Sequence, residues 1–182
     1  MEKAPLPVEI GWMTGVWDEN WLERRYYGGS LPPEAERELH LAARAYQEDA
    51  RAEDHLRRAI DLAPAHLAGY IGLYKFHFYK GRLAEALPYA CRCLELAGAD
   101  LGLPSDWHLV TPDAAPFGNY EAGLARFYLF ALKAYGYVQM RLGNAEEGTV
   151  AMRKLLELDP SDKLGAAALL VVWERSGVDD AE

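Results

Sequence analysis

RRAIDLAPAHLAGYIGLYKFHFYKGRLAEALPYACRCLELAG, residues 57–98, and LFALKAYGYVQMRLGNAEEGTVAMRKLLELDPSDKLGAAALLVVWERSG, residues 129–177, decide the fold when set side by side. Each contains a helix-period run, a short glycine turn and a second helix closing on a leucine-rich element. The landmarks share a period. Pro64 and Gly98 stand 34 apart in the closing slot, and Gly143 and Gly177 stand 34 apart in the turn slot. Gly81 also fills the turn slot but precedes Gly143 by 62 residues, one period and a surplus of 28. A shared period with one clean insertion marks an array of repeats.

Outward from these two units the same pattern continues. Leu31-Pro32-Pro33-Glu34 opens a helix, with Pro33 suited to its first turn and Glu34 and Glu36 favourable at its positive end. Leu39, Ala42, Ala43 and Tyr46, then Leu56, Ala59 and Ile60, recur at spacings of three and four as far as Asp61. No segment alternates with period two for long. The expected class is all-α.

The units resemble the tetratricopeptide repeat, whose 34-residue pattern runs W-x2-L-G-x2-Y, then A-x3-F, then P. In the second unit those slots hold Tyr70, Leu73, Tyr74 and His77, followed by Ala86 and Ala90. In the third they hold Leu132, Tyr135, Gly136 and Gln139, then Gly148, Met152 and Pro160. The first unit, with Glu36, Leu39, His40, Ala43, Ala52, Leu56 and Pro64, lacks the turn glycine. A final single helix, Lys163 to Ser176 with Trp173 in the Tyr slot, resembles the capping helix such arrays need. The resemblance implies a short helical solenoid of about three helix pairs plus that cap. It divides the chain into an aromatic arm, 1–30, and a helical domain, 31–182, interrupted by an insertion at about 99–123.

Composition narrows the function. A formal charge of −9 opposes a nucleic-acid surface, which needs a basic stripe. The longest apolar run, Ala166 to Trp173, falls far short of the roughly 20 residues a membrane span requires. The start, MEKAPLPVEIGWM, lacks the apolar core of a signal peptide. Cys91 and Cys93 are the two cysteines and, two apart on a helix, point in different directions. A cytoplasmic protein is expected, with no nucleic-acid or membrane partner. No phosphate loop, HExxH, nucleophile elbow or paired-cysteine zinc spacing is present, so no catalytic, cofactor-binding or metal-binding residues are expected. His77 reads as a core or rim histidine, Cys93 as buried packing, and Asp106-Trp107-His108 as a loop contact.

In tetratricopeptide arrays the first helix of each pair lines a concave groove. That resemblance implies a lining of Arg37, Leu41 and Arg44, then Ile71, Lys75, Phe78 and Tyr79, then Phe130, Lys133, Tyr137, Met140 and Arg141. Such a basic and aromatic surface suits an acidic or aromatic-containing segment of a protein partner. Lys133→Glu with Arg141→Glu is expected to weaken that binding and leave helicity intact. The groove offers no asparagine beside Lys75 and Lys133, which opposes the Lys–Asn clamp used on heat-shock chaperone tails. Two features have two readings each. The arm, with Trp12, Trp17 and Trp21, either caps the open end of the first pair or anchors the partner. The insertion, with Trp107, Phe117 and Tyr120, is either a lid on the groove or structural fill.

The expected function is that of a non-enzymatic adaptor, assembly or protection factor. The small acidic array with its aromatic arm resembles the nitrogenase-associated tetratricopeptide factors of nitrogen-fixing bacteria, which implies a nitrogenase metalloprotein as partner. A type III secretion chaperone is a second class, and a small-molecule or enzymatic pocket beneath the insertion, around Trp107 and His108, is a third.

Overall fold

The computed structural model describes residues 30–119 and 121–179. Trp12, Trp17 and Trp21 therefore lie outside the described residues, as does the expected arm helix. Seven α-helices follow in order among the described residues. They are α1 (Pro33–Arg44), α2 (Asp49–Leu62), α3 (Leu67–Tyr79), α4 (Leu83–Asp100), α5 (Gly123–Arg141), α6 (Ala145–Leu158) and α7 (Ala166–Asp179). Each helix packs on the next in the chain, so three antiparallel pairs and a last helix stack into a short solenoid.

Local sequence sets the helix ends. Pro33 occupies the first turn of α1, and Glu34 and Glu36 sit at its positive end. Gly81 and Gly143 turn each pair with φ of 71° and 92°, the left-handed region that glycine enters at little cost. The first pair turns without a glycine, through Ala45–Glu48. This displaces Tyr46 from the helical core stripe the sequence suggested; it stands in the turn and is 38% exposed.

Two repeat landmarks behave differently from their slots. Gly98 lies inside α4 rather than closing it, because the absent side chain lets the Tyr128 ring approach. Gly177 lies inside α7, since glycine permits a turn without imposing one. The last helix also starts later than expected. Asp162 at φ 46° and Gly165 at φ 69° break the chain, and the Asp162 carboxylate accepts from Ala166 N at 2.6 Å and Ala167 N at 3.2 Å. Removing that cap in Asp162→Ala should cost about 1 kcal/mol. In thermal melts this is a fall in Tm of about 2–4 °C for a domain this size. An unchanged Tm would mean that α7 is held by packing alone.

The interior helices carry the core. α3 buries eight of its 13 residues and α5 twelve of its 19, so both are wrapped by neighbours on most sides. α1 and α2 show narrower stripes, Ala35, Leu39 and Ala42 against Ala52, Leu56 and Ala59, as end helices do. The segment between α4 and α5 is folded rather than loose. Val110 and Phe117 are buried in the same core as α5 and α6, the Phe117 ring lies 5.9 Å from that of Tyr128, and Lys154 Nζ donates to Val110 O at 3.1 Å.

Candidate functional site

Candidate partner-binding residues fall on the end of α3 and on α5. Phe78 is the centre of an aromatic row, with ring centroids 5.5 Å from Tyr74, 5.8 Å from Tyr79 and 5.9 Å from Tyr137. Arg141 continues the row by donating to the Tyr137 hydroxyl at 2.9 Å, one helical turn along. Tyr79 is 48% exposed at the opposite end. Burial, and then Tyr46, push its phenol above the usual range, so the hydroxyl stays neutral, and the Tyr46 ring packs edge-on against Phe76 at 6.0 Å. Lys80 lies 4.6 Å above the Tyr46 ring. Lys80 and Arg82 both bind Asp49, whose carboxyl is held down first by its bond to Lys80. The result is an aromatic ledge crossing from the first pair to the third.

The structure corrects several expected groove positions. Lys133 is buried, and its Nζ donates to the Leu164 carbonyl in the turn before α7. Burial of the ammonium lowers its pKa to about 8, offset in part by Asp162. Met140 and Ile71 are likewise internal, at 1% and 0% exposure, and Tyr137 is buried beneath Phe78 and Arg141. The physical reasons differ: the turn before α7 covers Lys133, Met140 lies against Gly148 of α6, Phe78 and Arg141 cover Tyr137, and Ile71 packs in the core shared with α4 and α5, contacts that the repeat register does not encode. Arg37 and Arg44 are exposed, while Lys75, Phe78, Phe130 and Arg141 are half-buried. The surface is thus more aromatic and less basic than expected.

Among the described residues no ring contact joins the insertion to the ledge. The insertion's ring contacts with α5 are Trp107 with Tyr135 and Phe117 with Tyr128, each 5.9 Å between centroids, and Tyr135 is two residues from Tyr137. Residues so spaced face different ways on a helix. The described part of the segment packs in one core with α5 and α6, as the fill reading expects.

The remaining chemistry-bearing residues take quieter places. His77 is 3% exposed, stacked on Tyr89 at 5.7 Å, and its pKa is lowered chiefly by burial. His108 shares a 2.7 Å hydrogen bond with exposed Asp106 and stacks on Trp107 at 3.6 Å, a loop contact. Cys93 is buried, its thiol pushed up by desolvation, and Cys91 is half-buried. Among the described residues no group of three metal-ligating side chains is assembled, and no described helix is long and apolar enough to cross a membrane.

A stack of antiparallel pairs, two of them turned by left-handed glycines, defines a helical-repeat protein. The tetratricopeptide repeat family model matches residues 134–162, which span the second half of α5 and all of α6. The chain is also 40% identical, over 148 residues, to an uncharacterized 19.8 kDa protein in the nifW 5' region of Azotobacter chroococcum mcd 1. That match covers 81% of this chain and 82% of the relative. The chain belongs to the tetratricopeptide-repeat proteins and to the same family as that relative.

The pattern signalled Phe78, Tyr79 and Arg141 but not Tyr46, whose spacing imitates a core position. The pocket that the third sequence reading placed beneath the insertion around Trp107 has a counterpart in a cavity between α4 and the insertion, lined in part by Tyr128, Trp107 and Tyr135. Aromatic residues clustered in and beside the insertion were its one trace in the sequence.

Proposed function

We propose that this chain is a protein-binding adaptor that holds a component of the nitrogen-fixation machinery during assembly, storage or repair. The observation that carries the reading is the ledge of Tyr46, Tyr79, Phe78 and Arg141, which leaves rigid aromatic surface open on a fold whose family binds proteins. Exposed aromatic and arginine side chains are the residue types that dominate interface energies. The nifW neighbourhood in the relative's name supports a nitrogenase protein as the partner and weighs against a secretion substrate.

The test uses the full-length tagged chain on extracts of the native organism grown with and without fixed nitrogen. A nitrogenase component should be retained from nitrogen-fixing cells. Retention by Tyr79→Ala should fall about tenfold or more, as truncation of an aromatic anchor does. A translocator protein as the stoichiometric partner would instead establish the secretion-chaperone reading. Equal retention by the variant would remove the ledge from the interface.

A further inference from the structure

Beside the ledge but separate from it, α4, the insertion and α5 line a partly open cavity of about 290 Å³. Its volume is near the lower bound for small-molecule sites, room for one ring and a short substituent. Leu94, Leu103 and Pro104 supply apolar wall, and Trp107, Tyr128 and Tyr135 supply three aromatic rings. Tyr128 is the telling residue. It is 1% exposed, and among the described residues its hydroxyl has no hydrogen-bond partner, whereas the Tyr135 hydroxyl is bonded to Glu147 at 2.6 Å and to Gln139 at 3.1 Å. A hydroxyl on a cavity wall with no protein partner is open to water or to a ligand's polar group.

The charge around the cavity selects the ligand. Glu95 is the acidic wall residue, and the Tyr128 phenol is pushed up to about 12, first by burial and then by Asp106. Neither lysine nor arginine lines the cavity, and Arg92 is engaged with Glu95 at 3.0 Å. A carboxylate or phosphate would thus find no cationic group in the wall. A cation would meet aromatic faces, carboxylates and a neutral phenol oxygen able to accept an N–H.

We propose that this cavity is a binding site for a compact protonated amine on an apolar or aromatic stem, seated among Trp107, Tyr128 and Tyr135 with its ammonium toward the Tyr128 oxygen and Glu95. The same chemistry is offered by a free amine or by a lysine or arginine side chain of a protein. The site does not depend on the adaptor reading, because the ledge residues form no part of its walls.

The experiment follows the Trp107 indole N–H of the full-length protein in proton–nitrogen correlation spectra, assigned through Trp107→Phe. Phenethylamine, N-acetyl-lysine methylamide, N-acetyl-arginine methylamide and 3-phenylpropionate are titrated separately. The amine should shift the Trp107 signal and leave that of Trp173 in place, while the carboxylate should bind at least tenfold more weakly. Tyr128→Phe keeps the ring packed and removes only the hydroxyl, so amine affinity should fall about fivefold, the worth of one hydrogen bond. A response to the lysine or arginine amides alone supports the same site with a protein side chain as its source. Equal binding of amine and carboxylate, no shift of Trp107 by any probe, or unchanged affinity in Tyr128→Phe would overturn the proposal.

Discussion

Gly148→Val is expected to be the most destabilising single substitution on α6. A Cβ at this position would stand 2.3 Å from Met140 Cγ, 2.6 Å from Gly136 O and 2.8 Å from Met140 N. The methionine side chain can move, but the other two are backbone atoms of α5. The facing glycine is equally tight: a Cβ on Gly136 would lie 2.9 Å from Ala151 Cβ and 3.1 Å from Gly148 O. The third pair therefore crosses backbone on backbone, and any side chain at position 148 forces the helices apart along their whole contact. Overpacking a close site costs about 1–3 kcal/mol and sometimes more, and a β-branched side chain that cannot rotate away belongs at the upper end. That outweighs the roughly 0.5–1 kcal/mol regained by replacing a helical glycine. The expected fall in Tm is about 6–12 °C at 2–4 °C per kcal/mol. Arg153→Val, on the exposed side of the same helix, controls for β-branching and should stay within about 0.5 kcal/mol of the parent. Equal melting of the two variants would show that α5 and α6 do not meet as closely as Gly136 and Gly148 require.

These glycines also show how far the sequence carries. Gly136 and Gly148 fall in the small-residue slots of the repeat, and Gly81 and Gly143 fall in its turn slots; both roles follow from spacing, since each is a contact or turn within one pair. The positions that misled are those whose surroundings come from elsewhere in the chain. The repeat register places Lys133 on the inner face of α5, which it occupies, but the carbonyl that receives its ammonium belongs to Leu164, 31 residues on. Tyr46 obeys helical spacing after Leu39 and Ala42, yet the helix stops at Arg44, and no glycine announces the turn. The insertion lacks periodicity altogether. Its burial of Val110 and Phe117 beside Tyr128 rests on side-chain shape, which no short-range pattern records.

Lys133 is where the corrected reading has its largest consequence. Charge reversal there was expected to disturb only a binding surface; in the folded chain it should disturb the junction with α7. A carboxylate at that depth would lose its water, face the Leu164 carbonyl and add to the charge of Asp162, which now favours the ammonium. An uncompensated buried charge costs about 3–5 kcal/mol, so Lys133→Glu should lower Tm by about 10 °C. Lys133→Met separates charge from packing, because it keeps the stem and discards the ammonium. The lysine's pKa is about 8 in the folded protein, against 10.5 for an unburied lysine. Between these values the unfolded chain binds more protons than the folded one, so this residue's contribution to stability rises with pH. Below pH 8 both states are charged and the burial penalty is present in full; above 10.5 both are neutral and it is gone. Urea unfolding at pH 7.5 and pH 9.5 should therefore show the parent gaining stability relative to Lys133→Met, and the comparison cancels the titration of the buried tyrosines and cysteines common to both. A constant difference between the two proteins across that interval, together with a stable, fully helical Lys133→Glu, would return Lys133 to the open groove and restore a basic lining to the partner site.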